Sequence, residues 1–234
     1  MNENRVETDV SVTVDGVTLT GRRYTPPALS RATALLFPGA GGTFTADGLT
    51  FFAHVLCDAH VDTTVINLTH NARRRPPRSI AHAVDEIGQI VAQLYDGQGP
   101  LIVGGKSFGS RAAFTFAAHT GTVQGVLAYG FPLHAPGKTV WRHDMFANIH
   151  VPALFVSGSL DTFANPNELV AAAGDLKATP TVVIVDGGDH DCAVAKKHAA
   201  NGVRLTASEA LTPHRQTIAT WVETVVSPAA HDTA

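Results

Sequence analysis

Short apolar runs of strand character alternate with amphipathic helical stretches along most of this chain. Runs such as residues 34–37 and 182–185 are apolar without interruption, which is typical of strands buried on both faces of a parallel sheet. Between such runs, apolar residues recur at helical spacing, for example over residues 80–94. Strands that alternate with helices pack as a mostly parallel central sheet with helices on both faces. The pattern therefore predicts an α/β fold.

An antiparallel hairpin precedes the alternating pattern. Residues 10–14 and 17–21 alternate between apolar and polar side chains on either side of Asp15-Gly16, a dipeptide that favours a two-residue hairpin turn. A length of 234 residues suits one domain with one large core. We predict a single α/β domain over residues 1–228, with the N-terminal hairpin at one edge of its sheet, and a frayed tail over residues 229–234.

Charge and composition narrow the class of protein. The net charge is −3, whereas general nucleic-acid binders carry a basic footprint. The first residues are polar and lack the apolar stretch of a secretory signal, and no run approaches the roughly 20 apolar residues of a membrane span. The two cysteines, Cys57 and Cys192, form no disulfide framework. We expect a cytoplasmic enzyme or binding protein that uses neither nucleic acid nor membrane as a partner, with the oligomeric state open.

The most specific motif is Gly-Lys-Ser-Phe-Gly at residues 105–109. It lies between a predicted strand over residues 101–103 and a predicted helix over residues 111–118. It matches the Gly-x-Ser-x-Gly pattern that places a nucleophilic serine on a strained turn between a strand and a helix. A phosphate-binding loop would need glycine at position 100, which is Pro100 here. Ser107 is therefore the predicted nucleophile.

A serine nucleophile needs a base and an acid that orients the base. In the chain order that accompanies this motif, the acid follows the serine and the histidine comes last. Asp161 and His190 each follow a predicted strand by one loop, and so they belong to the same sheet edge as Ser107. We predict Asp161 as the acid and His190 as the base. Asp186 and Asp189 are the alternatives for the acid.

Backbone N–H groups near the nucleophile would stabilise the oxyanion that forms during acyl transfer. One predicted donor is the N–H of Phe108, directly after the nucleophile. The second comes from the Pro-Gly-Ala-Gly-Gly loop at residues 38–42, with Ala40 as first choice and Gly41 as second.

The segment Asp-Gly-Gly-Asp-His-Asp-Cys at residues 186–192 is rich in metal-ligating residue types. Adjacent residues rarely converge on one ion without longer spacing, so we predict neither a metal site nor any other cofactor.

Two segments that follow strands are candidates for substrate binding. The run Arg-Arg-Arg-Pro-Pro-Arg at residues 73–78 is either a solvated loop or a basic patch that attracts an anionic substrate. Residues 131–149 are either a short cap that lines the pocket or ordinary packing. Under the binding interpretation, the contacting side chains are Arg73, Arg74, Arg75, Lys138, Trp141 and Arg142.

The chain resembles the dienelactone-hydrolase-like α/β-hydrolases, and most of all their KANL/Tex-type branch. The resemblance spans roughly residues 32 to 226 and is strongest in the segments at residues 73–76, 104–111, 130–138, 158–161 and 187–190. It implies the α/β-hydrolase fold and the triad Ser107, Asp161 and His190. The chain departs from the family at Pro38, where a histidine is usual, and at Phe131, which replaces a tyrosine.

These residues and this resemblance predict a serine hydrolase that cleaves an ester or thioester of a small molecule through an acyl-enzyme on Ser107. Transfer of the acyl group to an acceptor other than water is an alternative that would use the same residues. A second alternative, from another class, is a hydrolase-like fold that serves as a binding or scaffold module, because the family has members regarded mainly as subunits of chromatin complexes. A pure scaffold has no physical need for a nucleophile beside its base.

Overall fold

The computed structural model describes residues 5–227, whose core is one eight-stranded sheet. In chain order the strands are β1 (Val6–Val14), β2 (Val17–Thr25), β3 (Ala32–Phe37), β4 (Val61–Ile66), β5 (Leu101–Lys106), β6 (Gly125–Tyr129), β7 (Ala153–Gly158) and β8 (Thr181–Val185). Their order across the sheet is β1-β2-β4-β3-β5-β6-β7-β8. The six strands from β3 to β8 pair in parallel.

The first two strands form the predicted antiparallel hairpin at one edge of the sheet. Asp15 and Gly16 both have positive φ angles, 47° and 71°, as the predicted tight turn requires. The hairpin is longer than predicted and extends back to Val6. The added residues on β1, 6–9, are all exposed, so they pair through the backbone and through contacts such as that of Arg22 with Asp9 (3.0 Å) rather than through an alternating buried face.

Helices cover both faces of the sheet. In chain order they are α1 (Asp47–Asp58), α2 (Thr69–Ala72), α3 (Ile80–Leu94), α4 (Phe108–Ala118), α5 (Pro166–Ala173), α6 (Ala207–Leu211) and α7 (Arg215–Val226), with short 3₁₀ turns at Phe146–Asn148 and Thr212–His214. One core cluster joins α3, α4 and α5 to the sheet, and a second joins α1, α6 and α7 to the opposite face. The predicted α/β architecture, a mostly parallel sheet with helices on both faces and an N-terminal antiparallel hairpin, is confirmed.

The helix boundaries have local physical causes, and that of α4 differs from prediction. Helix α4 begins at Phe108 rather than residue 111, because the turn at Ser107 leads directly into it. Helix α5 begins at Pro166, where the Asn165 side chain accepts a hydrogen bond from the Glu168 N–H and caps the first turn. The short helices α2 and α6 were not predicted, because each is too brief to show a helical repeat.

Residues 229–234, predicted as a frayed tail, lie outside the described residues. Within residues 5–227, no helix combines the length and apolar character needed to cross a bilayer.

Candidate active site

Ser107 lies on a strained turn between β5 and α4. Its φ and ψ angles are 50° and −116°, and a positive φ is uncommon for a residue other than glycine. The glycines on either side make the turn possible. A Cβ atom at Gly105 or Gly109 would overlap the backbone carbonyl of Phe37, at the end of the neighbouring strand β3. The motif therefore holds the serine at the carboxyl edge of the sheet, where its side chain forms no capping hydrogen bond with α4.

Three loops at this edge bring the predicted catalytic side chains into one hydrogen-bonded chain. The Nε2 atom of His190 lies 2.9 Å from the Oγ atom of Ser107. The Nδ1 atom of His190 lies 2.9 Å and 3.0 Å from the two carboxylate oxygens of Asp161. Asp186 and Asp189 have other partners: Asp186 accepts from the Ser159 hydroxyl, and Asp189 accepts from backbone N–H groups of its own loop.

The Asp161 carboxylate is buried and fixed by donors besides His190. It accepts hydrogen bonds from the backbone N–H of Phe163 (2.8 Å) and the hydroxyl of Ser157 (3.2 Å). The Phe163 ring packs on the His190 imidazole with 4.2 Å between ring centroids. With Nδ1 donating to a carboxylate, the neutral imidazole presents the lone pair of Nε2 to Ser107. This geometry suits a general base beside a nucleophile.

The loop that carries His190 is anchored to the ends of β5 and β6. Lys106 forms an ion pair with the carboxylate of Asp191, and the Tyr129 hydroxyl donates a hydrogen bond to the Asp191 carbonyl. Gly130 has a φ of 59°, and a Cβ atom there would lie 2.7 Å from the His190 carbonyl oxygen. The sequence motifs did not reveal this anchor, although Lys106 lies inside the nucleophile motif.

A second loop, at residues 38–43, runs directly beside the nucleophile. A Cβ atom at Gly39 would lie only 3.3 Å from the Cβ of Ser107. The Nδ2 group of Asn71 donates to the carbonyl oxygens of Gly39 (2.9 Å) and Gly42 (3.0 Å). Phe108 is the first residue of α4, so its N–H has no acceptor within the helix.

Ala40 and Gly41 lie between the two carbonyl groups that Asn71 holds, and both residues are exposed at the tip of the loop. The loop that carries one predicted donor approaches Ser107 at Gly39, and the start of α4, which carries the other, directly follows Ser107. Asn71 was not singled out from the sequence. Its signal was available, because the segment containing it follows β4 at the same sheet edge.

The arginine-rich loop lies beside a cavity of about 230 Å³. Phe108, the residue that follows the nucleophile, is part of the cavity wall. Arg73 and Arg75 line this cavity together with His70 and Phe108. Arg74 is not among the lining residues. Its φ of 51° places a turn between Arg73 and Arg75, which both line the cavity.

Lys138, Trp141 and Arg142 lie in the segment that follows β6. The Arg142 N–H donates to the Leu133 carbonyl oxygen (2.7 Å). Burial, followed by the nearby Arg142 guanidinium, lowers the pKa of Arg111 on α4. Lys138 is exposed, and the Trp141 ring contacts His143 edge-on.

The apolar residues of the same segment serve packing. Phe131 and Phe146 are buried against Phe114 of α4 and Phe155 of β7, with ring centroids 5.0–6.1 Å apart. Residues 136–140 between them are all exposed, including the apolar Val140, so buried and exposed stretches alternate along residues 131–149.

His134, in the segment at residues 131–149, contacts Glu168 of α5, and this contact depends on pH. Its Nδ1 lies 2.9 Å from the Ala135 carbonyl oxygen, and its Nε2 lies 3.1 Å from a carboxylate oxygen of Glu168. The Ala135 carbonyl and then the Glu168 carboxylate raise the pKa of His134. The Asn165 backbone N–H and then His134 lower the pKa of Glu168.

We expect His134→Gln to destabilise the protein most at mildly acidic pH. The raised pKa of His134 means that its contribution is complete below the ordinary histidine value of 6.5 and is lost as the pH rises through the folded-state pKa. The lowered pKa of Glu168 means that its contribution is complete above 4.5 and is lost as the pH falls. Urea unfolding of both proteins should show the largest stability difference between these two values and a smaller one at alkaline pH. A difference that is constant with pH would contradict the assignment.

The two thiols are poor candidates for reactive groups. Both are buried, and burial raises the pKa of Cys57 to about 11 and that of Cys192 still further. Across residues 5–227, no three His, Cys, Asp or Glu side chains cluster in a way that could hold a metal ion.

Comparison with known proteins places this geometry among related folds. Residues 30–223 match a family model described as an alpha/beta hydrolase domain. Dienelactone hydrolase from Anabaena variabilis is 22% identical, with a TM-score of 0.71 over 95% of this chain and 99% of that one. Est1E from Butyrivibrio proteoclasticus, solved with bound ferulic acid, is 13% identical, with a TM-score of 0.72 over 93% and 99% of the two chains. An α/β serine hydrolase without lid from Xanthomonas campestris is 16% identical, with a TM-score of 0.70 over 93% and 94%.

Proposed function

Because the chain belongs to the α/β-hydrolase family, we propose that it is a serine hydrolase that cleaves ester bonds of small molecules. The observation that carries this proposal is the hydrogen-bonded chain from Ser107 through His190 to Asp161. A serine hydroxyl is a weak nucleophile on its own, and this arrangement supplies both the base and the group that orients it.

The proposed reaction has two halves. In the first, the Ser107 Oγ attacks the carbonyl carbon of the ester and its proton passes to the Nε2 atom of His190. The N–H groups of Phe108 and of Ala40, or Gly41 in its place, stabilise the oxyanion. The tetrahedral intermediate then collapses, the bond to the leaving group breaks, and His190 gives its proton to the departing oxygen.

In the second half, a water molecule attacks the acyl-enzyme and loses a proton to His190. The bond between the acyl carbon and Ser107 breaks, and the same proton returns to the serine. Asp161 stays ionised throughout and stabilises the imidazolium that forms in each half. A thioester would follow the same steps with a thiol as the leaving group. Residues 131–149, with Lys138, Trp141 and Arg142, are the proposed cap at the mouth of this site.

Activity against a panel of p-nitrophenyl esters and acyl-thioesters, each with and without an added alcohol acceptor, tests the proposal. We expect hydrolysis of at least one short-chain ester and release of the free acid. An acyl-alcohol product that forms in preference to the free acid would instead favour acyl transfer. A folded protein that turns over no member of the panel would favour the scaffold alternative.

We expect Asn71→Ala to lower kcat for ester hydrolysis by roughly tenfold while KM changes little. Loss of the two hydrogen bonds from Asn71 frees the loop at residues 38–43, so a donor to the oxyanion is misplaced, and removal of one such donor outright costs about 10²–10³. Steady-state kinetics with Asn167→Ala, an exposed amide on α5, as the control would test this. A change in KM alone would contradict the positioning role.

A further inference from the structure

The cavity beside the arginine-rich loop lies between the hairpin turn, α2 and the start of α3. Its walls include Thr69, His70, Arg73, Arg75, Arg78 and Phe108. Its volume is about 230 Å³. That space accommodates a carboxylate or phosphate together with a few carbon atoms.

The arginines of this cavity are available for a ligand. Within residues 5–227, none of Arg73, Arg75 and Arg78 forms an ion pair with a carboxylate. All three are exposed at the rim. Guanidinium groups bind carboxylate and phosphate oxygens in a two-pronged geometry, so a loop with several unpaired arginines suits an anion.

The acidic residues of the cavity wall are already engaged. Buried Glu86 accepts hydrogen bonds from the Thr69 N–H (3.2 Å) and hydroxyl, and its carboxylate lies 2.9 Å from the Nε2 of His82. The Asp15 carboxylate accepts from the Gln89 side chain (3.2 Å). Both carboxylates therefore have hydrogen-bond partners other than the arginines, which leaves the guanidinium groups free to bind an anion.

His70 adds a polar group at the bottom of the cavity. The residue is only 7% exposed, and its buried Nε2 has no hydrogen-bond partner among residues 5–227. Such groups are rare in folded proteins because an unsatisfied buried polar atom costs free energy. Burial lowers the pKa of His70. In the tautomer that carries its proton on Nε2, the imidazole donates a hydrogen bond from this atom. An oxygen of a bound ligand would satisfy it.

The cavity adjoins the proposed reaction centre. Phe108, whose N–H is a proposed oxyanion donor, contributes its side chain to the wall and packs edge-on against His70 with 5.1 Å between ring centroids. Asn71, the residue after His70, holds the loop at residues 38–43. A substrate whose carbonyl carbon lies at Ser107 therefore has this cavity beside it on the oxyanion side.

We propose that this cavity is a subsite for an anionic group, a carboxylate or a phosphate, carried by the substrate. Arg73 and Arg75 bind its oxygens, with Arg78 at the rim, and the Nε2–H of His70 donates a hydrogen bond to one of these oxygens. This inference rests on the proposed function and adds to it the class of substrate, an ester with a negative charge on one side of the scissile bond.

Binding measured without turnover separates this inference from the proposed function. Isothermal titration at low salt, in the Ser107→Ala background so that the ester probes are not cleaved, would compare three probes: monomethyl succinate, methyl phosphate and the neutral methyl butyrate. We expect at least one anionic probe to bind more tightly than methyl butyrate. The double variant Arg73→Gln/Arg75→Gln should weaken that binding about tenfold or more, as should a rise in salt. Both side chains are exposed, so we expect the variant to fold.

The matched control is Lys196→Gln/Lys197→Gln, which removes the same charge from two exposed lysines that do not line the cavity. We expect it to change binding of the anionic probe less than twofold. If the two double variants weakened binding of the anionic probe equally, the effect would come from the net charge of the protein, and the subsite would be overturned. Binding of all three probes with equal affinity would overturn it as well.

The turnover arm compares kcat/KM for a p-nitrophenyl ester of a dicarboxylic acid with that for a neutral ester of the same length. We expect the anionic ester to be preferred, and Arg73→Gln/Arg75→Gln to lower its kcat/KM about tenfold while the neutral ester changes little. Turnover without an anion preference would overturn the subsite and leave the proposed function intact. Anion binding that depends on Arg73 and Arg75 without turnover of any ester would overturn the proposed function and the subsite's role in substrate selection.

Discussion

Replacing Ser107 by alanine should lower kcat for ester hydrolysis by about 10⁶-fold, the loss seen when the nucleophile of a serine protease triad is removed. The large factor is expected because His190 and Asp161 act only through the serine hydroxyl, which lies 2.9 Å from the base. Alanine keeps the Cβ atom, so the strained backbone at this position is unchanged and the free energy of unfolding should differ little. Initial rates on the best ester of the panel, with circular dichroism as the check on folding, measure the effect.

The control for this variant is Ser30→Ala, which removes an exposed hydroxyl from the loop before β3. It should retain the kcat of the unmodified protein. If Ser107→Ala kept most of the activity while remaining folded, another group would have to be the nucleophile.

Asp161→Asn should lower kcat by roughly 10⁴-fold, the cost of the equivalent change in a serine protease. An amide retains one oxygen, which can still accept from Phe163 N–H, but its NH₂ group donates to His190 Nδ1 and favours the tautomer with the proton on Nε2. In that tautomer Nε2 cannot accept the proton of Ser107. The packing and volume at this buried position change little, so most of the loss should appear in kcat.

Asp186→Asn is the matched control, because Asp186 is exposed and its carboxylate accepts only from Ser159 among the described hydrogen bonds. Its kcat should stay within about twofold of the original. Retained activity in Asp161→Asn, combined with loss in Asp186→Asn or Asp189→Asn, would assign the acid to a different residue.

The positions of Ser107, Asp161 and His190 follow from rules that the sequence alone carries. Ser107 directly follows a strand, and Asp161 and His190 each follow one by a short loop. Because the carboxyl ends of parallel strands share one edge of the sheet, their proximity is a consequence of topology. The choice of Asp161 over Asp186 and Asp189 could not be made with the same certainty. It depends on which carboxylate points at the imidazole, and that direction is set by the local loop contacts.

Other features of the site depend on contacts between segments that are distant in sequence. Asn71 clamps a loop about 30 residues earlier in the chain, and Lys106 pairs with Asp191 across the site. Within the arginine run, Arg73 and Arg75 line the cavity while Arg74 does not, because a positive φ at Arg74 turns the chain between them. No composition or periodicity rule distinguishes three consecutive arginines, so this difference had to come from the structure.

The most direct test of the proposed mechanism is covalent labelling of the folded protein with a fluorophosphonate probe. An activated serine attacks the phosphorus atom and forms a stable adduct, whereas an ordinary serine does not. Intact-mass spectrometry followed by peptide mapping should find one adduct per chain, on Ser107, and no adduct in Ser107→Ala. A native protein that stays unlabelled, or one that is labelled at another residue, would contradict the assignment of Ser107 as an activated nucleophile.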